Sequence, residues 1–98
     1  MLEPMSKIYA VEYHYVTDED EEMAAVRPSH RAFNGRLADE GRLLAAGPYV
    51  GTHDALIVVR ADDEAGALAL LEEDPFHQAG YINERIPREW NPVIGVLA

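Results

Sequence analysis

The segment Ile8–Val16 constrains the fold more than any other part of the sequence, because its side chains alternate between two faces of a predicted β-strand. One face would carry Tyr9, Val11, Tyr13 and Tyr15, and the other would carry Ile8, Ala10, Glu12 and His14. Neither face is uniformly polar. A strand of this kind predicts a sheet that is covered on both sides.

The residues after this first strand favour helices. Thr17 is a candidate capping residue, and the acidic residues after it favour the positive end of a short helix through Val26. Pro28 is expected at the first position of a further helical stretch that ends at Gly41. His30 would then lie near the amino-terminal end of that stretch, on the same face as two apolar residues, Phe33 and Leu37.

Three more strands and one more helix are predicted from the remaining sequence. Strands two and three are expected at Arg42–Ala46 and Ala55–Val59, with a turn at Gly47-Pro48 between them. A second helix would begin at the capping residue Asp62 and end where Asp74 meets Pro75. Its core side would carry Ala65, Leu68 and Leu71. Strand four is expected at Tyr81–Ile86.

The resulting order, βαββαβ, predicts an α+β protein with a ferredoxin-like antiparallel sheet and both helices on one face. Strand three, Ala55–Val59, has no polar face, so the side of the sheet away from the helices also needs a cover. A second copy of the same sheet is the simplest cover, which predicts a homodimer packed sheet to sheet. The apolar tail 90–98 could pair with a sheet edge or with a partner chain.

Length and charge limit the possible functions. The 98 residues suit one domain over 1–98, in which 1–6 would be a mobile extension. A net charge of -10 excludes nucleic acid as a partner. The sequence contains no apolar run long enough to span a membrane, which predicts a cytoplasmic protein. Without cysteine or closely spaced histidines, no metal site is expected.

Several motifs resemble one known family. They are Arg27-Pro28-Ser29-His30, the run Gly41–Pro48, Ala65 in the second helix and Asp74-Pro75-Phe76. In combination and spacing they resemble the YCII-related (YciI-like) family, over about Ile8 to Ile86. The resemblance implies the fold and sheet-packed dimer of the dimeric α+β barrel group. It also implies a histidine and aspartate pair, here His30 and Asp74.

The resemblance implies small-molecule chemistry. Related barrels include lyases and isomerases, and one YCII-related branch removes chloride from a chlorinated hydroquinone. This sequence departs from the family pattern in its short loop 49–54 and its tail 90–98.

An imidazole moves protons near neutral pH, and a carboxylate on its other nitrogen fixes its tautomer. His30 is therefore a candidate general base or acid and Asp74 its orienting partner. Arg27, one turn earlier, is a candidate for holding a substrate carboxylate or phenolate. Tyr9 and Tyr13 are candidates for lining an apolar pocket and for donating a hydroxyl hydrogen bond. No cofactor is expected.

Three functions remain open at this point. The first is a cofactor-independent enzyme of lyase or isomerase type that uses His30 and Asp74 for proton transfer. The second is a dimeric domain that binds a small ligand or regulates without turnover, in which His30 would be sealed in the core. The third is a structural dimer within a larger assembly.

Overall fold

The computed structural model describes residues 6–98, so most of the predicted extension 1–6 lies outside the described residues. The elements in chain order are β1 (Lys7–Tyr15), α1 (Asp20–Asp39), β2 (Leu43–Pro48), β3 (Asp54–Ala61), α2 (Glu64–Leu70), α3 (Pro75–Gln78) and β4 (Ile82–Trp90). The four strands form one antiparallel sheet in the order β2-β3-β1-β4. This order is that of a ferredoxin-like sheet, and the predicted fold class is confirmed.

The core lies between one face of the sheet and the helices. Its members are alternate residues of β1 and β3 and residues on the inward sides of α1 and α2. Its buried members include Tyr9, Val11, Tyr13, Phe33, Leu37, Ala55, Ile57, Val59, Ala67 and Leu71. On α2 the prediction was wrong for Ala65, which is exposed; Ala67, four residues before Leu71, occupies the core position instead.

The helical region before β2 is one continuous helix, so the prediction of two helical stretches was wrong. Pro28 lies inside α1, where it removes one backbone hydrogen bond. Met23 is buried before the proline and Phe33 after it, so tertiary packing holds both halves in place. Thr17 lies outside the helix, and the acidic first turn from Asp20 stabilises the helix start through its dipole.

The predicted second helix is divided in two. Asp63, rather than Asp62, caps α2, because its side chain accepts a 2.7 Å hydrogen bond from the Gly66 backbone N–H. Helix α2 ends at Leu70, and Asp74 begins the separate short helix α3 as its capping residue. Pro75 explains the break, since the residue before a proline avoids helical geometry.

Strand β4 continues through Pro87 to Trp90, beyond the predicted end at Ile86. Strand β4 lies at the edge of the sheet, where a proline is tolerated. The N–H that Pro87 lacks therefore removes no hydrogen bond from between two central strands. The tail 91–98 pairs with no strand edge, and Val93, Ile94 and Val96 are largely exposed. Within residues 6–98, no helix has the length and apolar character that crossing a membrane requires.

The sheet side opposite the helices is named the open face here. Its residues follow the strand register and form four rows across β3, β1 and β4. The rows are Asp54–His14–Glu84, Leu56–Glu12–Ile86, Val58–Ala10–Arg88 and Arg60–Ile8–Trp90. The middle of this face is largely apolar, as predicted from strand three.

His14 is held between two carboxylates at one end of the open face. Its Nδ1 lies 2.8 Å from Asp54 Oδ1, and its Nε2 lies 2.8 Å from Glu12 Oε2. Glu84 is its register partner on β4. The hydrogen bond to Asp54, followed by the charges of Asp54 and Glu12, raises the pKa of His14 above its usual 6.5.

Replacing Val59 tests the position of the core. Val59→Ala removes two methyl groups from a residue with 0% exposure and is expected to lower the free energy of unfolding by about 2–3 kcal/mol. Val50→Ala is the matched control, because Val50 is 98% exposed, and should change stability by less than about 0.5 kcal/mol. Urea denaturation measures both; equal effects would contradict the core assignment.

The raised pKa of His14 predicts a pH dependence of stability. The folded state binds this proton more tightly than the unfolded chain, so the stabilisation is complete below the unfolded pKa of about 6.5. It is lost as the pH rises through the higher folded pKa. His14→Gln should remove this component from the wild-type curve of unfolding free energy against pH, whereas identical pH dependence in the two proteins would contradict it.

Candidate active site

A cavity of about 680 Å³ lies between α1, the carboxyl end of β1 and the β2–β3 hairpin. Helix α1 contributes Arg27, His30, Arg31 and Asn34 to its wall, because these positions recur every three or four residues and share one side of the helix. Phe76 of α3 lines the same cavity. Together with Tyr15, Phe76 and apolar residues such as Leu43, these residues of α1 give the cavity both charged and apolar walls.

The structure brings His30 and Asp74 into contact. His30 Nδ1 lies 2.7 Å from Asp74 Oδ1, and Asp74 has no solvent exposure. The same oxygen accepts a 2.9 Å hydrogen bond from the Phe76 backbone N–H, so the cap of α3 also positions the carboxylate. His30 lies in the middle of α1 and not near a helix end as the sequence predicted.

The His30 ring is fixed from two further directions. Phe76 stacks on it with ring centroids 4.1 Å apart and planes within 13°. Its Nε2 lies 3.4 Å from Asn34 Nδ2. Because a carboxylate only accepts hydrogen bonds, the neutral imidazole carries its proton on Nδ1, and the lone pair on Nε2 accepts the long hydrogen bond from the Asn34 amide. The side chain is 13% exposed and therefore is not sealed in the core.

Two arginines give the cavity a positive side. Arg27 and Arg31 are four residues apart on α1 and both line the cavity. Neither forms an ion pair with another group of residues 6–98, although the chain carries a net charge of -10. At another part of the wall, His53 Nε2 lies 3.2 Å from Asp20 Oδ1. This arrangement suits an anionic group placed beside α1.

The tyrosine that lines the cavity is Tyr15. Tyr9 and Tyr13, which the sequence suggested as pocket residues, are buried in the core and do not line it. Tyr15 is the last of the alternating series and lies edge-on to Phe76, with ring centroids 5.6 Å apart. Burial, and secondarily the Asp74 charge, holds the pKa of Tyr15 well above its usual range, so its hydroxyl stays protonated.

The cavity residues that sequence reasoning missed include Tyr15, Arg31 and Asn34. Helical spacing contained a signal for two of them, since Arg31 and Asn34 lie one turn after Arg27 and His30 respectively. Tyr15 shares its sheet face with Tyr9 and Tyr13, and only the position of the cavity at the strand end separates them.

Comparisons with known proteins give a family and a fold. The sequence profile of the YCII-related domain matches residues 6–91. No functionally curated protein matches the chain. The fold is similar to that of 5-chloro-2-hydroxyhydroquinone dehydrochlorinase from Burkholderia phenoliruptrix AC1100, solved in complex with 2,5-dihydroxybenzoquinone. The TM-score is 0.74 at 16% identity, over 86% of this chain and 93% of the other.

Two substitutions at Asp74 separate its capping role from its charge. Asp74→Asn keeps an oxygen that accepts from the Phe76 N–H, whereas Asp74→Ala removes the cap. Asp74→Ala should therefore be less stable than Asp74→Asn by about 0.5–2 kcal/mol in urea denaturation. If the two variants were equally stable, Asp74 would not be the cap that holds α3.

Proposed function

This chain belongs to the YCII-related family, and we propose that it is a small-molecule enzyme of lyase or isomerase type that transfers a proton through His30. The observation that carries the proposal is the 2.7 Å contact between His30 Nδ1 and the buried Asp74, on a ring that lines the cavity. Nε2 is the ring nitrogen left for a substrate, which would replace the 3.4 Å contact with the Asn34 amide.

In the proposed step, His30 Nε2 takes a proton from a substrate carbon activated by a neighbouring carbonyl or phenol. The electrons of the broken C–H bond form a new double bond. In a lyase, a leaving group departs with the electron pair of its own bond, and the imidazolium then gives its proton to that leaving group or to water. In an isomerase, the imidazolium returns the proton to another atom of the substrate. Both routes balance protons and electrons without another reactant, and they draw only on side chains of this chain.

Asp74 and Asn34 would act on the imidazole instead of on the substrate. The Asp74 carboxylate holds the Nδ1–H tautomer and stabilises the cation that forms when Nε2 gains a proton. Asn34 Oδ1 is buried without a hydrogen-bond partner among residues 6–98. Turning the amide would place this oxygen near Nε2 and let it accept a hydrogen bond from the protonated ring.

Arg27 would bind a carboxylate or phenolate of the substrate, next to the catalytic imidazole. The protonated hydroxyl of Tyr15 supplies a hydrogen-bond donor on the same cavity wall, in the role first expected of Tyr9 and Tyr13. The structural neighbour supports this class of chemistry, since it is a dehydrochlorinase solved with a bound dihydroxybenzoquinone. The shared fold supports an elimination reaction more directly than it supports any particular substrate.

We also propose that the chain forms a homodimer through the open face. The support is the apolar middle of that face, which includes the half-buried Leu56 and Ile86, and Trp90 at its end with 44% exposure. Burying such a surface against a second copy follows from the hydrophobic effect.

Exchange of substrate hydrogen for solvent deuterium tests the proposed proton transfer. A panel of phenols and keto acids, with and without leaving groups, is incubated with the protein in deuterated buffer and followed by NMR and mass spectrometry. The wild type should catalyse exchange or elimination for at least one class. His30→Gln should lower that rate by about 10²- to 10⁴-fold, the usual contribution of a general base.

His77→Gln is the matched control, because His77 lies outside the cavity and contacts Glu72. It should retain the wild-type rate. Compounds that bind the cavity with neither exchange nor turnover would instead favour the non-catalytic ligand-binding domain, and equal rates for His30→Gln and wild type would remove His30 from the reaction.

A further inference from the structure

The charged groups of the cavity wall differ in whether they have a partner. The two carboxylates of the wall each contact an imidazole. Asp20 Oδ1 lies 3.2 Å from His53 Nε2, and Asp54 Oδ1 lies 2.8 Å from His14 Nδ1. The two arginines of the wall contact no carboxylate among residues 6–98. The charges of the described wall that remain open to a ligand are therefore positive.

The two arginines lie in an arrangement that a bound anion would stabilise. Arg27 and Arg31 are one turn apart on α1, a spacing at which like charges repel each other. The chain has 18 acidic residues against 8 basic ones, so the lack of an acidic partner at both positions does not come from a shortage of acids. Bound carboxylates would remove the repulsion and match the planar, two-pronged donor geometry of each guanidinium.

We propose that the substrate carries two anionic groups, a carboxylate or phenolate held by Arg27 and a second carboxylate held by Arg31. The inference rests on the proposed function and names the substrate class of the same cavity. Along the axis of α1, His30 lies between the two arginines. A substrate that spans both guanidiniums therefore presents its middle to the imidazole, where the proton is removed.

Arg31 is a specificity residue in this arrangement, because only a substrate with the second anionic group gains its contact. The net charge of -10 disfavours the approach of any anion, so a doubly charged substrate needs more than one local cation. The apolar part of the wall, which includes Tyr15, Ile57 and Phe76, suits an unsaturated or aromatic carbon frame between the two acidic groups.

Binding of small aromatic acids tests the second anionic group without requiring turnover. Isothermal titration calorimetry at low salt and neutral pH compares isophthalate, which has two carboxylates, with benzoate, which has one. Wild type should bind isophthalate at least about tenfold more tightly, the usual gain from one hydrogen bond between charged groups. Arg31→Gln should reduce this preference to within about threefold and change the affinity for benzoate by less than about threefold.

Arg36→Gln is the matched control, because Arg36 lies on the same helix outside the cavity and its replacement changes the net charge equally. It should keep the wild-type preference for isophthalate. Arg31→Lys retains the positive charge without the two-pronged contact and should give an intermediate preference. Circular dichroism checks that each variant folds, and Arg31→Lys carries the test if Arg31→Gln does not fold.

Three results would overturn the inference. They are a failure of wild type to bind either acid, equal affinity for isophthalate and benzoate, and a preference that survives Arg31→Gln. Tighter binding of phenyl phosphate than of isophthalate would also contradict it, because both arginines would then hold one doubly charged group.

His30→Gln separates this inference from the proposed function. It should lose proton transfer and keep the preference for isophthalate, since the arginines are unchanged. A wild type that shows the preference and catalyses no exchange or elimination would contradict the proposed function alone. Turnover of singly charged substrates at equal rates by wild type and Arg31→Gln, with no gain from a second carboxylate, would contradict the substrate class alone.

Discussion

The buried carboxylate of Asp74 is the group on which the rest of the site depends. An ionised carboxylate without solvent contact is costly unless hydrogen bonds and charges compensate for the lost water. Asp74 Oδ1 meets this requirement in part by accepting from the Phe76 backbone and contacting His30 Nδ1, whereas Oδ2 is buried with no hydrogen-bond partner among residues 6–98. Because these partners belong to α3 and α1, one oxygen joins two elements that are distant in the sequence.

The charge of Asp74 also affects the pKa of two nearby tyrosines. Burial, with the Asp74 charge as the next cause, raises the pKa of both Tyr13 and Tyr15 well above the usual range. Both phenols therefore stay protonated near neutral pH. Phe76 stacks on that imidazole and completes the packing around it. The carboxylate thus orients one side chain and adds to the effect of burial on the pKa of two others.

The sheet separates two kinds of surface. Its helix side forms the core and ends at the cavity, while the open face carries an apolar middle between charged ends. His14 on the open face contacts Asp54, and His30 in the cavity contacts Asp74. Asp54 also lines the cavity, so the two surfaces meet at this residue.

The alternation of side chains along the strands predicted most of the fold, because it depends only on residues that are neighbours in the sequence. The two faces of β1 and the apolar character of β3 followed directly from residues 8–16 and 55–59. Pro28 was misinterpreted because the stability of α1 comes from the packing of Met23 and Phe33, which local propensity does not contain.

The site was predictable in its residue types and less so in its geometry. His30 and Asp74 were identified by motif, but their 2.7 Å contact depends on how α1 and α3 pack together. Tyr15 was missed in favour of Tyr9 and Tyr13, since all three share one face and only the position of the cavity distinguishes them. Alternation identifies a face of the sheet, and tertiary packing decides where along it the site lies.

The most direct test of the account is the tautomer of His30, read from the nitrogen chemical shifts of ¹⁵N-histidine-labelled protein at a pH where the ring is neutral. The account predicts a protonated Nδ1, held by Asp74, and an unprotonated Nε2 available to a substrate. A neutral ring with its proton on Nε2 would contradict it, because His30 could then neither donate to Asp74 nor act as the base at the cavity.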